Sequence, residues 1–87
     1  MTTVRGKVTA GGKAARDAVV EVRNAGGDIV DQVTVDDRGG FTYHLAGGMW
    51  SLRAWDPHGG RAEESVELVG DEDRVVDLEL KSQEDRR

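Results

Sequence analysis

Residues 35–55 read VDDRGGFTYHLAGGMWSLRAW, and they hold Phe41, Tyr43, Trp50 and Trp55, every Phe, Tyr and Trp of the 87-residue chain. Two Gly-Gly pairs divide the stretch. Within the pieces, Phe41, Tyr43 and Leu45 alternate with Thr42 and His44, and Trp50, Leu52 and Ala54 alternate with Met49, Ser51, Arg53 and Trp55. A period of two is the mark of a strand with one buried face. The stretch therefore predicts two adjacent strands with Phe41, Tyr43 and Trp50 in a core, where each aromatic buries on the order of 150–250 Å². The Tyr43 hydroxyl then needs a hydrogen-bond partner or a place at the sheet edge.

The same alternation extends both ways along the chain and helical spacing is absent. It predicts seven strands, at residues 3–9, 18–24, 29–36, 40–45, 48–55, 61–69 and 74–81. The links GGK, AGGD, DDRGG, AGG, DPHGG and GDED are short and rich in residues that form turns, so several strand pairs should be hairpins. Ala18, Val20, Val22, Val33, Val35, Val66, Leu68, Val76, Leu78 and Leu80 join the aromatics as the inner set, while Val19, Glu21 and Arg23 face outward. An inner set from every strand is what two packed antiparallel sheets require. The expectation is a seven-stranded antiparallel Greek-key β-sandwich over residues 1–81, followed by a frayed, charged tail at 82–87. Residues 3–9 and 74–81 are the expected edge strands, guarded by Arg5, Lys7, Asp77 and Glu79.

Bulk properties narrow the function. A chain of this length makes one domain and buries about 60–65% of its unfolded surface, so it has a single thin core. The net charge is −5, and nine Arg and three Lys form no cluster beyond Arg86 and Arg87. Nucleic acid is not an expected partner, because such binding depends on basic side chains at phosphates. There is no cysteine, which excludes disulfides and thiolate metal sites and favours a reducing compartment. No stretch approaches the roughly 18 apolar residues of a membrane span. The expectation is a cytoplasmic protein.

The order of signals is more specific than a sandwich. GKVTAGGKAARDAVVEV, VTVDDRGGFTYHL, GGMWSLRAW and VVDLELK together resemble the carboxypeptidase regulatory-like domains of the transthyretin-like (prealbumin-like) superfamily. The most specific portion is Val35 to Phe41 followed by Gly48 to Leu52. Ala14 stands where that pattern has proline, and Trp50 where it has tyrosine. The GGMWSLRAW wording is also similar to short stand-alone bacterial members encoded beside a thiosulfate sulfurtransferase. The resemblance implies an accessory module serving a protein partner, for example an enzyme encoded nearby. The superfamily's hydroxyisourate hydrolases use first-strand histidines and a C-terminal Tyr-Arg-Gly-Ser. Here the first strand is TVRGKVT and the chain ends KSQEDRR, so enzyme activity of that kind is not expected.

Candidate chemistry is sparse. His44 and His58 lack a metal-ligand motif, and Asp36, Asp37, Asp71, Glu72 and Asp73 lie in turns where aspartate caps its own backbone. No metal or cofactor is expected. Alternation turns Trp55 away from the core, so Trp55, Arg53, Met49 and His44 form the candidate interaction surface, built from residue types enriched at interfaces. Trp55 is read alternatively as a strand-end residue folded under the DPHGG turn. A carbohydrate or other small ligand stacking on Trp55 is the second functional reading, and self-association through an edge strand is a further one.

Overall fold

The computed structural model describes residues 2–71 and 73–82. The strands are β1 (Thr2–Ala10), β2 (Lys13–Ala14), β3 (Val19–Arg23), β4 (Ile29–Thr34), β5 (Gly40–Leu45), β6 (Gly48–Trp55), β7 (Gly60–Leu68), β8 (Arg74–Val75) and β9 (Leu78–Ser82). The first six expected strands are present with ends within two residues of those read from the sequence. The seventh is broken into β8 and β9, and a two-residue strand, β2, folds back on the end of β1. Ser82 closes β9 rather than beginning a tail, and the rest of the expected tail, 83–87, lies outside the described residues.

All nine strands belong to one sheet in the order β2-β1-β9-β7-β6-β3-β4, with β5 and β8 also paired to β1. β1 is the strand about which the sheet curls. Its residues Thr2–Lys7 pair with β5, while Val8–Ala10 pair with β9. The sheet is mixed, which corrects the expectation of antiparallel strands throughout: β1 runs parallel to both β8 and β9. Side-chain alternation reports which face a residue occupies and carries no information on strand direction. Short links force antiparallel pairing only between neighbours in sequence, and β1 and β9 lie at opposite ends of the chain. Of the two expected edges, residues 3–9 are interior, and in 74–81 β9 lies between β1 and β7 while β8 pairs with β1 alone. Four strands pair on one side only: β4 with β3, and β5 and the two-residue β2 and β8 with β1.

The break between β8 and β9 has a local cause. β8 and β9 keep one common register against β1, Val4 opposite Arg74 and Val8 opposite Leu78. Between them the Val76 amide donates to the Arg5 carbonyl at 2.8 Å. The Lys7 amide then donates to the Asp77 carboxylate at 3.0 Å, a side chain standing in for a strand carbonyl. Gly6 sits at this point because the Val76 carbonyl oxygen would lie 1.8 Å from any Cβ.

Inside the curl, Val4, Val8, Val20, Val22 and Leu52 are completely buried, each stabilising the fold by about 1.5–3 kcal/mol relative to exposure. Phe41, Tyr43 and Leu45 are buried as alternation expects, but Trp50 and Val33 are only half-buried against the core. Trp50 lies near the open end of β6, where its indole N–H donates to the Ala46 carbonyl at 2.9 Å. Burying the ring further would take that donor from its acceptor.

Three turns share one design. Asn24, Asp36 and Asp56 each accept two backbone N–H bonds on a side-chain oxygen, from the residues two and four positions on, at 2.8–3.0 Å. In each, the glycine three positions on has φ of 79–90°, which a Cβ would strain.

Candidate functional site

The site is built on the outward face of β3, β6 and β7. β6 pairs with β7 in unbroken register from Gly48 opposite Leu68 to Trp55 opposite Arg61. No bulge reverses its parity, so Met49, Ser51, Arg53 and Trp55 all face outward. Pairing with β3 sets Val19 beside Trp55 and Glu21 beside Arg53.

The end of this face holds a pocket of about 290 Å³ lined by Glu21, Arg53, Trp55, Asp56, Gly59 and Arg61. Trp55 is half-buried within it. The Glu21 side chain is only 6% exposed although it lies on the outer face. Arg23 Nε donates to Glu21 Oε2 at 2.6 Å, a short charge-assisted bond that offsets the desolvation of the carboxylate. Arg53 stands directly opposite Glu21 across the β3–β6 pair. The Asp56 turn closes the end of the pocket, its Oδ1 accepting from the His58 and Gly60 amides.

The four residues expected from the sequence do not form one patch. Arg53 and Trp55 share the pocket. Met49 is 50% exposed on the same face, but six residues along an extended strand place it about 20 Å from Trp55. His44 is on β5, the other layer of the curl, with ring Nδ1 3.3 Å from Thr3 Oγ1. Glu21, Asp56 and Arg61 were not singled out from the sequence as parts of this site. Glu21 reaches the pocket through the β3–β6 pairing, which alternation does not encode, whereas Asp56 and Arg61 come from the β6–β7 turn and hairpin that follow Trp55. Among the described residues, no group of three His, Cys, Asp or Glu side chains converges to hold a metal ion.

The architecture is similar to that of a DUF3823 family protein from Parabacteroides merdae, at 20% identity and a TM-score of 0.67, covering 93% of this chain and 46% of that one. It is also similar to a "putative carbohydrate binding protein" from Bacteroides uniformis, at 15% identity and a TM-score of 0.64, covering 91% of this chain and 40% of that one. The chain spans less than half the length of either protein, and at these identities the likeness concerns the fold. No curated protein matches the sequence. Residues 1–81 match the family model described as "Protein of unknown function (DUF1416)", and the chain belongs to that family.

Proposed function

We propose that this domain is a non-enzymatic interaction module of the carboxypeptidase regulatory-like, transthyretin-like kind. It acts in the cytoplasm and binds a protein partner through the Trp55 end of the outward β6 face. The observation that carries this reading is the pocket in which Trp55 lies beside Arg53 and Arg61 over the buried Glu21 carboxylate. A tryptophan framed by arginines is the composition of an interface hot spot, where a ring supplies contact area and guanidinium groups supply directional bonds. Glu21 contributes a fixed negative charge beneath them. Affinity capture with the intact chain and with Trp55→Ala tests the reading: a stoichiometric protein partner is recovered with the first and lost with the second.

A second reading is carbohydrate binding. Trp55 is flanked by planar polar side chains of both signs, Glu21, Asp56, Arg53 and Arg61, which together can bond the hydroxyls of a neutral sugar stacked on the ring. The likeness to the Bacteroides uniformis protein adds support at the level of fold. A glycan that alters tryptophan fluorescence saturably in the intact chain and not in Arg53→Gln would favour this reading over a protein partner.

A further inference from the structure

A second concave surface lies at the other layer of the curl, where β5, β1 and β8 meet the β4–β5 turn. It is a groove of about 780 Å³, within the range of small-molecule sites. Three cations line it: Arg5 and Lys7 from β1, and Arg38 from the turn. Arg5 and Lys7 are two residues apart on one face of a strand, so their backbones are about 7 Å apart. Register places Arg5 between Thr42 and Val75, and Lys7 opposite Gly40, beside which the Asp36 carboxylate lies, 2.9 Å from where a Cβ would stand.

The charge there is unbalanced in a chain whose net charge is −5. Among the described residues, Arg5, Lys7 and Arg38 form no ion pair, and Arg23–Glu21 is the one pair seen. The two carboxylates in the groove are turned to backbone donors. Asp36 Oδ1 accepts from the Arg38 and Gly40 amides, and Asp77 Oδ1 accepts from the Lys7 amide. The three cations exceed the two carboxylates by one; Arg38 and Lys7 act on the Asp36 charge through space, but among the described residues no side-chain hydrogen bond from Arg5, Lys7 or Arg38 is seen. Beside them the groove has apolar wall from Val33, Phe41 and Val75, and Val75 is 64% exposed. An exposed apolar side chain next to unpaired guanidinium groups suits a ligand with an anionic head and an apolar body.

We propose that the groove between Arg5, Lys7, Arg38 and Val75 is a binding site for a small amphipathic organic anion. Its carboxylate or phosphate lies among the three cations and its apolar part lies on Val75 and Val33. The site is separate from the Trp55 pocket and shares no residue with it.

Titration of the labelled protein with phenyl phosphate, benzoate and neutral benzyl alcohol, followed by amide chemical shifts, tests the proposal. The expected result is saturable shifts at Arg38, Gly40, Thr42 and Val75 by about 10 mM of an anionic probe, and none with benzyl alcohol. Arg5→Gln or Arg38→Gln should weaken binding about tenfold, while Arg16→Gln, exposed and outside both pockets, leaves it unchanged. Arg5 and Arg38 are exposed, and retained dispersion of the amide signals shows that the variants are folded. Absence of saturable shifts, equal shifts with benzyl alcohol, or undiminished binding in the Arg5→Gln/Arg38→Gln double variant would overturn the proposal. The relative affinities for phenyl phosphate and benzoate identify the preferred head group.

Discussion

Tyr43 on β5 donates its hydroxyl hydrogen to the carbonyl of Val20 on β3 across 2.6 Å. The two strands are far apart in the order of the sheet, so this bond joins the two layers of the curl through the core. It supplies the partner that a buried tyrosine requires.

Tyr43→Phe should therefore keep the fold and lower stability by about 1–2 kcal/mol, the range for a hydrogen bond lost from a buried acceptor. The pH dependence adds a second readout. Burial, with the Asp31 charge adding to it, pushes the Tyr43 hydroxyl up to about 12 from the ordinary value of 10. The folded state holds this proton more tightly than the unfolded chain. Its contribution is complete below pH 10 and lost as pH rises through about 12. Urea melts at pH 8 to 12 should show a decline in wild type that is smaller in Tyr43→Phe.

Gly6→Ala is expected to be among the most damaging small substitutions. The new methyl group would meet the Val76 carbonyl at 1.8 Å, a backbone atom that cannot swing aside. The Phe41 ring would lie 3.2 Å from it on the other side. A loss of about 3 kcal/mol or more is expected, with the β1–β8 junction opening first. Hydrogen exchange at Val76 and Lys7 should quicken more than at Leu52 in the same variant.

The Asp36 turn carries an acid-sensitive element. Amide bonds from Gly40 and Arg38 hold the Asp36 carboxyl below its usual range. Its contribution is present above the ordinary carboxylate pKa and lost as pH falls through the lowered one. Asn24 forms the same turn with a neutral side chain. Asp36→Asn should therefore fold like wild type at pH 7 and show a flatter stability profile between pH 5 and 2.

Glu21 and Arg23 should behave as a coupled pair. Glu21→Ala leaves Arg23 without its 2.6 Å partner and should cost about 2 kcal/mol. If the bond is the source of that loss, a double-mutant cycle with Arg23→Ala gives a coupling of about 1 kcal/mol or more. A coupling near zero would assign the loss to packing.

Much of this architecture is legible in the sequence because one face of each strand is dry. Phe41, Tyr43 and Leu45 against Thr42 and His44 gave the burial of β5 without ambiguity, and Leu52 and Ala54 did the same for β6. Trp50 shares their parity, yet it is only half-buried against the core and its indole takes a carbonyl partner. The parallel pairing of β1 with β8 and β9 left no trace in alternation, and neither did the break at Val76–Asp77, which depends on a side chain replacing a carbonyl. Arg53 and Trp55 could be placed outward from β6 alone. Arg61 follows from the DPHGG hairpin, but joining them to Glu21 required knowing that β3 lies beside β6, and separating them from His44 required knowing that β5 lies in the other layer. The common turn was visible in DDRGG and DPHGG, but its third copy begins with Asn24 in NAGGD, where asparagine does what aspartate does elsewhere.

The proposed binding surface is the Trp55 end of the β6 face. It is tested most directly by quantitative affinity capture from native lysate with the intact chain, Trp55→Ala, Arg53→Ala and His44→Ala. A stoichiometric protein partner should be retained by the intact chain and by His44→Ala, and reduced about tenfold or more by Trp55→Ala and Arg53→Ala. Recovery of the same partner in equal amount by all four proteins would contradict it.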